Sequence, residues 1–144
     1  MQSRATYDDA KLILELYEMR REERLRKARA WFVASFKPRN AADLAALCPR
    51  GSDENASYRM VVTYWEMVAS FLTSGVLDKE LFYQSGRELL LVWGRLCEIV
   101  PELREQHHDS HYYGNLEVAA KEYIEYIERR TPGAYEAFLK RVKG

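Results

Sequence analysis

The sequence predicts an all-α fold: one domain over residues 1–144, a bundle of five to six helices with a long N-terminal helix and a central antiparallel hairpin. Three observations carry this. Apolar residues recur at helical spacing in each long segment, and no segment alternates long enough to form a strand. One stretch, SDENASYRMVVTYWEMVASFLTS (Ser52 to Ser74), is also apolar on nearly every side, with eleven of the fifteen positions from Tyr58 to Leu72 apolar. A helix of that kind has to be surrounded by others.

Taken in order, Thr6 followed by Asp9 makes a capping box with the short Asp in place of Glu. No breaker follows until Pro38, which predicts one helix from Tyr7 to Lys37. Thirty residues rise roughly 45 Å, whereas a compact chain of this size is about 35–40 Å across. The first helix should therefore overhang its own domain. Its start carries Leu12, Ile13, Leu16 and Met19, apolar residues with no assured cover inside the chain. Asn40 then caps a short helix over 41–47, closed by Cys48-Pro49-Arg50-Gly51.

The central helix has Ser52 as N-cap, Asp53 and Glu54 in its first turn, and Gly75 at its end. Asp78 caps a fourth helix over 79–100, and the short link between the two predicts the central hairpin. Gly86 and Gly94 fall inside this helix, where each costs about 1 kcal/mol relative to Ala. Their expected return is close approach of a neighbouring helix, under Trp65 or Trp31. Pro101 stops or kinks it. Asn115 caps a helix over 116–130, and Thr131-Pro132 starts a last one over 133–142.

Composition narrows the function classes. Lys and Arg together number 22, as do Asp and Glu, so the net charge is zero and the basic excess of a nucleic-acid binder is missing. MQSRATYDD has no apolar h-region and predicts no signal peptide. The longest charge-free run, Met67 to Leu77, has 11 residues, which is too short for a membrane span. Cys48 and Cys97 sit among helical apolar residues and read as reduced core thiols of a cytoplasmic protein, with a disulfide between them as the other reading.

Four features are candidate sites. His107, His108 and His111 fall within five residues beside Glu105 and Asp109, side chains suited to a divalent metal. Their spacing matches no helical ligand motif, and a polar interhelical turn is the better reading. On the central helix, Arg59, Thr63, Glu66, Ser70 and Thr73 form one polar line. Arg59 and Glu66, with Arg87 and Glu88 as partners, make a candidate interhelical ligand site, against a plain solvent strip. From Arg20 to Arg29, six basic and two acidic residues make either a phosphate-binding patch or a solvated face laced by Glu22–Arg26 and Glu23–Lys27 pairs. No base-reading residue interrupts this stretch, and the solvated face is the better reading. The aromatics at helical spacing read as core. Nucleophile elbows, phosphate loops and dinucleotide fingerprints are absent, so neither an enzyme nor a cofactor is expected.

Read together, YDDAKLILELYEMRREERLRKARAWF, ENASYRMVVTYWEMVASFLTSGVL and PGAYEAFLKRVKG resemble an uncharacterised bacterial family of small helical proteins, a domain of unknown function. The resemblance implies an all-α protein and supplies no catalytic residue. The expectation is a non-enzymatic interaction or scaffold domain, meeting a protein partner or a second copy through Leu12, Ile13, Leu16 and Met19. The alternative is a bundle that binds a small molecule or metal at a polar site between helices. Nucleic-acid binding through the basic stretch is a distant third.

Overall fold

A computed structural model describes residues 4–143, which form nine helices and no strand. They are α1 (Tyr7–Arg21), α2 (Glu23–Ser35), α3 (Ala41–Leu47), α4 (Asp53–Thr73), α5 (Lys79–Tyr83), α6 (Glu88–Leu96), α7 (Val100–Gln106), α8 (Gly114–Arg130) and α9 (Ala134–Lys143). The all-α expectation holds. The count of five to six does not, because two helices expected to be continuous are broken and the segment around Pro101 forms a helix of its own, α7.

α4 is the centre. It packs chiefly between α2 and α8, with α6 in lesser contact. Tyr58, Val61, Val62, Tyr64, Trp65, Val68, Ala69 and Leu72 are all buried on it. α6 in turn lies against α8 and α9. The expected hairpin of α4 with the next helix is therefore not the main packing unit, since α5 and the turn after it carry the chain away before α6 begins. Fully buried Leu89, Leu90, Leu96, Ile99, Leu116 and Tyr123 continue the core across these helices. Burial of a single Leu or Ile is worth roughly 1.5–3 kcal/mol.

The first break is at Glu22, whose backbone (φ −56, ψ 140) leaves the helical region. Its carboxylate accepts from the N–H groups of Arg24 and Leu25 at 3.0 and 3.1 Å, capping α2 from the preceding residue. Arg29 NH1 donates to the Arg20 carbonyl at 3.1 Å, so the end of α1 is satisfied too. The cause is packing. Leu16, Leu25, Ala28 and Phe32 are all buried, and a straight rod would carry one end past the core. The overhang expected of a long first helix is replaced by a bend that lays α1 on α2 and α5.

The second break divides the expected helix over 79–100. Gly86 sits in the turn between α5 and α6, where a Cβ would come 2.3 Å from ring atoms of Phe82. Close approach is the reason for this glycine, though Phe82 is the neighbour rather than Trp65 or Trp31. Gly94 faces α9, where a Cβ would lie 3.3 Å from Leu139. Pro101 opens α7 in its first turn, where its missing N–H is harmless.

One buried charge ties the ends of the fold. Arg95, 8% exposed, donates from Nε to the Val142 carbonyl at 3.0 Å. Its NH1 reaches Phe32 and Phe36 carbonyls at 3.1 and 2.9 Å, and its NH2 reaches Val33 at 3.1 Å. The C-terminal ends of α2 and α9 thus converge on one guanidinium. Each helix end carries about half a negative charge, which compensates a cation without any carboxylate.

Candidate functional site

The four residues expected to form one polar ligand site are dispersed. Glu66 reaches from α4 to the start of α8, accepting from the Leu116 N–H at 2.8 Å and from Asn115 Nδ2 at 2.9 Å. α8 needs this help. Tyr113 precedes it in the left-handed region (φ 58) and supplies no side-chain cap. Asn115, expected as the cap, lies inside α8 and accepts from Thr73 Oγ1 at 2.8 Å instead. A carboxylate from another helix provides the acceptor and the charge that the positive end of α8 favours.

Glu88 is taken up elsewhere. Arg29 grips it bidentately, Nε to Oε2 and NH2 to Oε1 at 2.8 Å each, and Trp65 Nε1 donates to Oε2 at 3.1 Å. Arg20 lies 5.2 Å above the Trp65 ring. This half-buried cluster locks the α1–α2 bend to α4 and α6. Arg87 follows a different path from its neighbour Glu88, because adjacent residues on a helix point apart. Arg59 is exposed and borders a cleft of about 520 Å³ with Tyr58, Cys48, His107 and Tyr112.

The three histidines are all exposed. His107 stacks on Tyr112 with centroids 4.4 Å apart, and the His111 N–H donates to Asp109 at 2.9 Å, a local turn bond. Among the described residues no three metal-ligating side chains converge. Both cysteines are free thiols rather than a disulfide pair. Burial, with Glu54 adding, pushes the Cys48 thiol up to about 11, which disfavours the thiolate.

The residues expected at an interface separate by face. Leu16 is buried, and Leu12 and Ile13 pack against the core; together they form the seat of α1. Tyr64 donates its hydroxyl to the Leu16 carbonyl at 2.6 Å, and the Asp78 N–H donates to Asp9 Oδ1 at 2.9 Å. Met19 is 48% exposed. The opposite face of α1 carries Tyr7, Leu14 and Tyr17, 83%, 65% and 49% exposed. Four of the eight exposed large hydrophobics of the described chain therefore lie on this one helix. Helical periodicity places Tyr7, Leu14 and Tyr17 within a sector of about 80°, and that spacing was the signal available in the sequence.

A cleft of about 630 Å³ opens between the α5–α6 turn and the junction of α8 with α9. Arg87 and Arg130 both line it, beside Tyr83 and Tyr126. Arg87 was legible as a candidate in the sequence, whereas Arg130, 43 positions further along, carries no local signal. No helix among the described residues is long and apolar enough to cross a membrane.

The family model described as Domain of unknown function (DUF4760) matches residues 5–123. No curated protein and no solved structure matches the chain.

Proposed function

Because the chain belongs to the family described as a domain of unknown function (DUF4760), we propose its role from its own surfaces: a non-enzymatic interaction module that pairs reversibly with a second copy through the outer face of α1. The observation that carries this is the exposed stripe of Tyr7, Leu14 and Tyr17. α1 packs chiefly on α2 and α5, and Tyr64 of α4 donates to the Leu16 carbonyl on its seated side. Tyrosine, methionine and arginine are the residue types that interfaces enrich.

Charge supports a second copy as the occupant. Two α1 helices laid antiparallel about a twofold axis at Leu14 place Tyr7 against the other copy's Arg21 and Lys11 beside its Glu18. An aromatic then meets a guanidinium and a cation meets an anion, both twice by symmetry. One helix of this length is only about 22 Å long, so the interface is small and the dimer weak. The free thiols of Cys48 and Cys97 support the cytoplasm as its compartment.

Sedimentation velocity from low micromolar to millimolar protein tests the reading. The native chain should shift from monomer towards dimer, and Leu14→Asp should stay monomeric. Lys11→Glu should weaken pairing, and the double variant Lys11→Glu/Glu18→Lys should restore it. A native chain that is monomeric throughout, or a Leu14→Asp variant that still pairs, would overturn the proposal.

A further inference from the structure

The cleft between the α5–α6 turn and the α8–α9 junction plays no part in the pairing proposed above. Its walls include Tyr83, Gln84, Arg87, Tyr126, Arg130 and Thr131. A volume of about 630 Å³ is that of a small-molecule site rather than of a packing defect. No carboxylate lines it.

Two of the acids near it are already engaged, and Glu125, which acts on Tyr83, lies outside its lining. Glu122 accepts from Lys79 at 2.6 Å. Glu128 accepts from the N–H groups of Gly133 and Tyr135 at 2.7 and 3.1 Å, capping the start of α9. Neither Arg87 nor Arg130 forms an ion pair among the described residues. Part of this positive charge answers the C-terminal end of α8, but a helix end offers only about half a charge. Two cations are more than that end requires.

Both guanidiniums are positioned by aromatic faces. Arg130 lies 5.3 Å over the Tyr126 ring and donates NH1 to its hydroxyl at 2.8 Å. Arg87 lies 5.9 Å from the Tyr123 ring and 5.7 Å from that of Phe138. Rings hold one face of each planar group and leave its edge for a ligand. Two forks of N–H donors on one cleft match the several oxygens of a phosphoryl dianion, whereas a single carboxylate needs only one fork. Burial raises the Tyr83 hydroxyl well above its ordinary value, so it stays a neutral donor. Tyr83, buried and stacked on Tyr123 with centroids 4.3 Å apart, and Tyr126, 4.9 Å from Tyr83, form an aromatic wall that offers ring edges beside the two cations.

We propose that this cleft binds a small aromatic phosphomonoester, with Arg87 and Arg130 gripping the phosphoryl group and the edges of the Tyr83–Tyr126 wall meeting the face of its ring.

Isothermal titration of the full chain with inorganic phosphate and with phenyl phosphate tests both halves. Phenyl phosphate should bind about five- to tenfold more tightly than inorganic phosphate, the increment expected of an aromatic contact. Arg130→Gln should lower its affinity by about tenfold or more, the loss of a charge-assisted hydrogen bond. Arg87→Lys, which keeps the charge but not the fork, should cost a comparable factor. Arg141→Gln, removing an exposed cation that lies over Phe138 outside the cleft lining, should change nothing. A thermal melt confirms that each variant is folded, and Arg130→Gln decides alone should Arg87→Lys fail that check. The proposal is overturned if neither probe binds at millimolar concentration, if Arg130→Gln binds phenyl phosphate as the native chain does, or if Arg141→Gln loses as much. Equal affinity for the two probes would overturn the aromatic half.

Discussion

α4 and α1 both carry large apolar and aromatic side chains, yet one is enclosed and the other is seated on a single side. On α4 the buried residues run from Tyr58 to Leu72 and face α2, α6 and α8 in turn. On α1 only Asp9 and Leu16 are buried, while Tyr7 and Leu14 stand in solvent. The difference shows where the stability of this protein is concentrated and which part of it can be altered without unfolding the rest. Local opening free energies follow buried contact density, so α1 should open well before the α2–α4–α6–α8 body.

The largest effect should come from the body. Replacing Arg95 with Met leaves carbonyls of Phe32, Val33, Phe36 and Val142 without their shared donor. Loss of a buried, charged hydrogen-bonding hub is expected to cost about 3–5 kcal/mol. Urea unfolding measures it, and a cost below about 1 kcal/mol would show that the two helix ends do not depend on this guanidinium. A second change probes the turn that separates α5 from α6. Gly86→Ala places a methyl group 2.3 Å from ring atoms of the buried Phe82, so the ring must move. Overpacking of this kind costs about 1–3 kcal/mol, and Gly86→Ala combined with Phe82→Leu should lose less than the sum of the two single changes.

The same contrast explains what could be read from the residues alone. Caps were legible because they are local. Thr6, Asn40, Ser52 and Asp78 each accept from the backbone N–H three residues on. α4 was legible because eleven apolar positions in fifteen leave no solvent face. The bend at Glu22 was not, because nothing near it breaks a helix and the cause lies in where Leu16 and Leu25 have to go. Arg95 was missed although it is the only charge between Leu89 and Cys97, a pattern that marks a cation needing buried acceptors. Arg59, Glu66, Arg87 and Glu88 looked like one site from sequence spacing. Glu66 and Glu88 instead secure helices α8 and α2, and Arg59 and Arg87 border separate clefts.

The smallest effect belongs to the N-terminal end of α1, and it should depend on pH. Asp9 Oδ2 accepts from the Thr6 N–H at 2.7 Å and Oδ1 from the Asp78 N–H at 2.9 Å, joining α1 to the residue that caps α5. These two backbone donors, Thr6 first, hold the Asp9 carboxyl below its ordinary value against the opposing effect of burial. The ionised form is therefore the one the fold favours. Its contribution is complete above the unfolded carboxylate value of about 3.9 and is lost as pH falls through the lower folded value. Amide hydrogen exchange should show α1 losing protection in acid before α4 does. Thr6→Ala, which removes the capping hydroxyl, should cost about 1 kcal/mol at neutral pH. Asp9→Asn should weaken α1 at neutral pH and flatten the acid dependence of its protection. An Asp9→Asn chain whose α1 amides still lose protection over the same acid range would assign the effect to another carboxyl and leave the seat of α1 to its apolar contacts.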